Sequence, residues 1–167
     1  MRLFVAIELS ERFKDELCMI QKRLKMQGMR GNYTSRENMH LTLAFIGEYP
    51  NPDEVADALD EISLLPMELT LSGFGTFGDI YWAGIKDNEA LLTNVKRIRK
   101  ALADKGIPFD RKKFTPHITL ARKTEFDRGL PADSPFPVIM DVDHISLMRS
   151  DRGKSGMIYT ALDEFYI

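Results

Sequence analysis

Two short segments of this chain carry nearly the same four residues: His40-Leu41-Thr42-Leu43 and His117-Ile118-Thr119-Leu120. Each alternates polar with apolar positions. That is the pattern of a strand with one face in a core, because side chains at i and i+2 share a face. Each segment would therefore present an imidazole beside a hydroxyl. Each is also preceded by an amphipathic helix, lined by Phe13, Leu17, Ile20 and Leu24 in the first case and by Leu91, Val95, Ile98 and Leu102 in the second. The unit recurs at an offset of 77 residues, His40 to His117. A chain with this repeat is expected to fold as one α+β domain over residues 1–167. It would have two similar lobes in a pseudo-twofold arrangement of antiparallel sheets, helices packed outside, and one His-x-Thr-Leu strand from each lobe facing a central groove.

The remaining pattern fits around this repeat. Leu3 to Glu8 reads as a first strand. Ser10 is placed to cap the first helix, which runs to about Gln27 before Gly28. The strand His40 to Ile46 stops at Gly47. Asn51-Pro52-Asp53-Glu54 starts a helix with Asn51 as cap, Pro52 in the first turn, Glu54 reaching back, and an apolar stripe of Val55, Leu59 and Ile62. Met67 to Leu71 and Ile80 to Ile85 read as strands around a glycine-rich turn, Gly73 to Gly78. The second repeat follows with a helix from about Asn88 to Lys105, ended by Gly106, and a strand from Thr115 to Arg122. A proline-rich connection (Pro131, Pro135, Pro137) leads to strands Val138 to Met148 and Met157 to Tyr166, joined by the polar loop Ser150 to Gly156.

Composition narrows the function classes. The chain has 167 residues, enough for one domain with a real core, and is 44% hydrophobic and 29% charged. No apolar run approaches the length of a membrane span. The start, Met1 to Leu9, is too soon interrupted by Glu8, Glu11 and Arg12 to read as a signal peptide. The single cysteine, Cys18, excludes an internal disulfide and suits a reducing cytoplasm. It lies on a charged helix with no neighbouring histidine and is read as structural. Net charge is −2, yet residues 95–128 hold eleven Lys/Arg against four Asp/Glu. This stretch surrounds the second motif and could attract a phosphate backbone. Within it, Lys96, Arg97, Arg99 and Lys100 read as the wet face of a helix.

Two histidines are the minimal equipment for acid–base catalysis near neutral pH: one neutral ring accepts a proton while one charged ring donates. At phosphorus the entering and leaving oxygens lie roughly in line, so two lobes with one histidine each suit the geometry. Thr42 and Thr119 can donate to the non-bridging phosphate oxygens, and Arg122 can add a charged donor. Pro116 favours extended backbone at Thr115. His144 lacks the threonine two residues on and is read as structural or surface. No H-E-x-x-H or comparable ligand cluster and no GK[ST] phosphate loop is visible, and Gly73, Gly75 and Gly78 read as turn residues rather than a dinucleotide site. Phosphoester chemistry without a metal or cofactor remains. Phe4, Tyr33, Phe45 and Trp82 are candidate base-stacking residues, though core packing is the simpler role for each.

These residues resemble the 2H phosphoesterases, and within them the RNA 2′,3′-cyclic phosphodiesterases long labelled 2′-5′ RNA ligases. The likeness runs through Arg2-Leu3-Phe4-Val5-Ala6-Ile7, His40 to Glu48, Phe114 to Arg122, and a tail with Leu147, Ser150, Gly156 and Tyr159. It implies hydrolysis of an RNA terminal 2′,3′-cyclic phosphate to a 2′-phosphomonoester without a metal, with 2′-5′ joining of RNA ends as the same chemistry in reverse. It implies one histidine activating water and the other protonating the departing 3′ oxygen, with His40 inclined to the acid role and His117 to the base. The expected partner is RNA with a cyclic end, acted on by a cytoplasmic monomer with no obligate protein partner. Two other readings stay open: a phosphodiesterase of small cyclic nucleotides or nucleotide-derived cyclic phosphates, and a non-catalytic RNA-end binder.

Overall fold

The computed structural model describes residues 1–126 and 137–167. Elements follow in the order β1 (Arg2–Glu8), α1 (Glu11–Met26), β2 (Arg30–Tyr33), a 3₁₀ turn (Arg36–Asn38), β3 (His40–Glu48), α2 (Pro52–Asp60), β4 (Met67–Phe77), β5 (Ile80–Ile85), α3 (Glu89–Asp104), β6 (His117–Glu125), β7 (Ile139–Val142), β8 (His144–Gly153) and β9 (Gly156–Tyr166). The strands form two antiparallel sheets, one ordered β3-β1-β8-β9 and the other β2-β6-β5-β4-β7. The histidine strand β3 pairs with the strand before its helix, β1, just as β6 pairs with β5. The order β3-β1-β8-β9 is therefore mirrored by β6-β5-β4-β7, with β2 added outside β6. β3 and β6 contact each other between the two sheets.

The repeated helices end by the same device. Each carries its apolar stripe inward, with Phe13, Leu17, Ile20 and Leu24 buried in α1 and Leu91, Val95, Ile98 and Leu102 in α3. Gly28 (φ 98°) and Gly106 (φ 70°) then turn left-handed. This lets the N–H of Met29 reach Leu24 O at 3.0 Å and that of Ile107 reach Leu102 O at 2.9 Å. Such closure satisfies the last carbonyls of a helix and sends a buried residue, Met29 or Ile107, back to the core. At the other end, Ser10 Oγ accepts from Phe13 N and Asn88 Oδ1 from Leu91 N. Each helix also buries one amide. Gln21 Nε2 donates to Thr34 O (2.8 Å) and Leu120 O (3.0 Å), pinning α1 to the end of β2 and to β6. Asn94 bonds both backbone groups of Leu65.

Several expected boundaries move. In α2, Asn51 accepts from Asp53 N and Pro52 opens the helix, but Ile62 lies past its end, and Glu54 reaches the Asn51 side chain rather than its backbone. β2 and the 3₁₀ turn were not foreseen, because Arg30–Tyr33 is held by pairing with β6 rather than by its own polar composition. The expected single strand Val138 to Met148 breaks at Asp143, with β7 joining one sheet and β8 the other. The β8–β9 hairpin is paired through Gly153 and Gly156, so its turn is shorter than the polar stretch suggested. The expected proline-rich connection at Pro131 and Pro135 lies outside the described residues.

The glycine-rich segment is the most informative correction. Gly73 to Phe77 is strand, not turn, and β4 pairs with β5 up to Phe77↔Ile80. Gly75 sits opposite Trp82, and a Cβ there would meet the indole ring at 2.2 Å. The missing side chain lets Trp82 lie over the strand. Gly75→Ala should therefore destabilise the protein by about 1–3 kcal/mol through overpacking, measured as a lower denaturation midpoint with an unchanged slope.

Candidate active site

The strand alternation places each motif as its residue types require. Leu41, Leu43, Ile118 and Leu120 are buried, while His40, Thr42, His117 and Thr119 line one cavity of about 180 Å³ between the sheets. Arg122 lines it too, so all five residues singled out in the sequence converge there. Among the twelve lining residues two are His, two are Arg and none is Asp or Glu. With two guanidiniums and no carboxylate in its wall, the cavity is suited to an anion.

Each histidine is held in the same way. His40 Nδ1 lies 2.7 Å from Asn38 O, and His117 Nδ1 lies 2.7 Å from Thr115 O. A carbonyl can only accept, so each Nδ1 carries the proton and Nε2 is left as the exchangeable nitrogen. In both cases the carbonyl lies two residues back. For His117 it belongs to Thr115, the residue immediately before Pro116. For His40 the 3₁₀ turn supplies it, and that turn is tied down on two sides. Arg36 binds Asp15 and Glu11 of α1, each at 2.6 Å, and Asn38 Nδ2 donates to Met157 O of β9 at 2.8 Å. His40 Nε2 lies 2.9 Å from Thr42 Oγ1.

Aromatic rings back both imidazoles. Phe4 and Tyr159 lie 5.0 and 5.1 Å from the His40 ring, and Phe77 and Trp82 lie 4.9 and 5.9 Å from the His117 ring. Phe4 and Trp82 thus pack against the histidines, and Tyr33 is engaged through its hydroxyl to Met29 O. Burial lowers the pKa of His40, and the charges of Arg122 and His117 act in the same direction, against the Asn38 carbonyl. In the free protein His40 is therefore biased toward its neutral form.

Sequence reasoning missed Thr34 and Asn38 in the cavity wall and gave Arg2 no role there. The signal for Asn38 was available in its place two residues before His40; nothing in the sequence foretells Thr34, which Gln21 brings in from α1. Cys18 is half-buried near Arg36, and Arg97, Arg99 and Lys100 are bound to Ser63 O, Lys112 O and Asp104, so these residues serve the helix surface.

His144 is neither isolated nor in the cavity. Its Nδ1 lies 2.6 Å from Asp143 Oδ1 and its Nε2 3.3 Å from Glu8 Oε2, which also accepts from Ser146 Oγ at 2.7 Å. Among the described residues, Glu8, His144 and Glu164 are the one group whose atoms come close enough to share a metal ion, within 4.8 Å of one another. They meet from three strands, so no local spacing announces them. Burial opposes charge on His144, but Asp143, Glu8 and Glu164 outweigh it and raise its pKa.

The comparisons agree with this architecture. Residues 13–154 match the 2′-5′ RNA ligase superfamily. A Thermotoga maritima protein named RNA 2′,3′-cyclic phosphodiesterase is 32% identical over 98% of this chain and 94% of its own. A Methanocaldococcus jannaschii protein of the same name is 29% identical over 99% and 100%. The structure of E. coli LigT complexed with 3′-AMP superposes with a TM-score of 0.89 at 25% identity, covering 99% of this chain and 97% of that one. The protein belongs to the 2′-5′ RNA ligase superfamily.

Two titrations check the electrostatics. In NMR titrations of the free protein, the His40 ring should titrate below the ordinary value of 6.5, and Arg122→Gln should move its midpoint upward by removing a charge that opposes protonation. An unmoved midpoint would contradict the assigned cause. His144 works the other way. A raised folded-state pKa gives stability that is present in full below the unfolded value and lost as pH rises through the folded one. His144→Gln should thus cost up to about 1 kcal/mol below about pH 6 and less at about pH 9, read by chemical denaturation at both.

Proposed function

We propose that the protein is an RNA 2′,3′-cyclic phosphodiesterase that opens a terminal cyclic phosphate to a 2′-phosphomonoester, using His40 and His117 as the acid–base pair. The observation that carries this reading is the pair of imidazoles with Nδ1 fixed on a carbonyl, which leaves Nε2 as the exchangeable nitrogen, lining one cavity that lacks carboxylates. Relatives named for this activity cover nearly the whole chain, and LigT is solved with a nucleoside phosphate.

In the reaction, one neutral Nε2 takes a proton from water as its oxygen bonds to phosphorus. The P–O3′ bond breaks, and the other, protonated ring delivers its proton to O3′. Thr42, Thr119 and Arg122 donate to the non-bridging oxygens, where negative charge accumulates. With the 5′ hydroxyl of a second RNA in place of the attacking water, the same groups would join the ends: the hydroxyl oxygen bonds to phosphorus as its proton passes to the neutral ring, and the P–O3′ bond breaks with a proton delivered to O3′, leaving a 2′-5′ phosphodiester. Two opposing influences act on the choice of roles. Arg122 and His117 disfavour a proton on His40 in the free cavity, whereas a bound phosphate favours one. Both sheets of one chain furnish the lining, so a single copy carries the whole proposed site within one two-lobed domain, and the lone Cys18 supports a reducing, cytoplasmic setting. No described helix is long and apolar enough to cross a membrane.

RNA ending in a 2′,3′-cyclic phosphate, incubated with the protein in excess EDTA, should yield the 2′-monoester. His40→Ala and His117→Ala should each lower kcat by about 10²–10⁴-fold. The wild-type pH–rate profile should be bell-shaped, with the acidic limb absent from the variant lacking the base and the alkaline limb absent from the one lacking the acid. No conversion, or conversion indifferent to both substitutions, would refute the proposal.

A further inference from the structure

Arg2 has a position that the acid–base scheme leaves unused. It lines the same cavity as the histidines but comes from the opposite sheet to Arg122, at the start of β1. Its guanidinium lies over the Phe45 ring, 5.0 Å from the centroid, and its cross-strand neighbour on β8 is Ser150, which also lines the cavity. Glu48, its neighbour on β3, turns its carboxylate to the Met1 amine at 3.2 Å. Among the described residues Arg2 forms no ion pair.

The ladder between β1 and β3 measures how far this charge lies from the chemistry. Thr42 is opposite Ala6, Phe45 is opposite Phe4, and Glu48 is opposite Arg2. The Phe4–Phe45 pair is two residues along β1 from the Ala6–Thr42 pair, about 7 Å at roughly 3.4 Å per residue. Stacked above Phe45, the guanidinium is thus displaced from the phosphate cradle of Thr42 and Thr119 by a distance on the order of one nucleotide step. A planar cation held on an aromatic ring keeps its N–H edge free and pre-oriented for phosphate oxygens.

Resting on the phosphodiesterase reading, we infer that Arg2, with Phe45 beneath it and Ser150 beside it, forms a second anion subsite. It takes the phosphodiester that precedes the terminal nucleotide and makes the protein selective for cyclic-ended RNA chains over 2′,3′-cyclic mononucleotides. A mononucleotide has no second phosphate to offer, so this contact is made by oligonucleotides alone.

The test measures kcat/KM for a tetranucleotide with a 2′,3′-cyclic end and for a 2′,3′-cyclic mononucleotide, in the wild type and in Arg2→Gln. The wild type should prefer the tetranucleotide. In Arg2→Gln the ratio of the two kcat/KM values should fall at least about 10-fold, mainly through KM, as expected for a lost charge-assisted hydrogen bond. The salt dependence of the tetranucleotide reaction should also become shallower by about 0.7 in log–log slope, one phosphate contact on a single strand. Equal loss on both substrates, no loss on either, or a wild type without preference for the tetranucleotide would each overturn the inference while leaving the phosphodiesterase reading intact. Turnover of neither substrate by the wild type would remove that reading and this one with it.

Discussion

The site depends on one hydrogen bond made twice. The imidazoles of His40 and His117 each donate an Nδ1–H hydrogen bond to the carbonyl two residues earlier, at 2.7 Å in both cases. The bond fixes the tautomer, turns the ring, and leaves a single nitrogen to exchange protons in the cavity. It needs the carbonyl two residues before the strand's histidine to be held in place, and the chain secures this in two ways. Pro116 restricts Thr115 directly. Ahead of β3 the 3₁₀ turn is clamped by Arg36 to α1 and by Asn38 to β9.

The surrounding fold keeps the two bonds in register. α1 and α3 carry the same apolar spacing and close on the same glycine turn, Gly28 and Gly106. Their equivalent strands, β3 and β6, end up on different sheets with their polar faces toward one space. Aromatic pairs pack against both rings, Phe4 and Tyr159 on His40 within the cavity wall and Phe77 and Trp82 on His117. Gly75 contributes indirectly, because its lack of a side chain admits Trp82, which packs on His117.

Charge is partitioned as sharply as geometry. The cavity wall has two arginines, two histidines, hydroxyls and aromatic rings but no acid, so an anion meets no carboxylate there. The carboxylates of Glu8 and Glu164 lie on the same sheet as His40 and are engaged with His144 instead. Glu8 is the cross-strand neighbour of His40 in the β1–β3 ladder, yet its carboxylate is engaged by His144 and Ser146. A carboxylate at that place without such partners would compete with an anion in the cavity for the His40 imidazole.

Much of this was legible along the chain, and what was legible was local. The His-x-Thr alternation, the helix stripes, the Ser10 and Asn51 caps and the glycine stops depend on residues within a few positions of one another, so periodicity and capping chemistry determined them. The five residues that meet in the cavity, His40, Thr42, His117, Thr119 and Arg122, belong to the same short motifs. What only the tertiary structure decided involves partners far apart in sequence. β2 exists because β6 is there to pair with it. Gly73 to Phe77 is strand rather than turn because β5 pairs with it and Trp82 needs Gly75. Glu8, His144 and Glu164 meet because three strands lie side by side. Thr34 and Arg2 enter the cavity from two different sheets. Hydrogen-bond ladders and close ring contacts are made across space, and a linear pattern carries a residue's own preference but not the neighbour that overrides it.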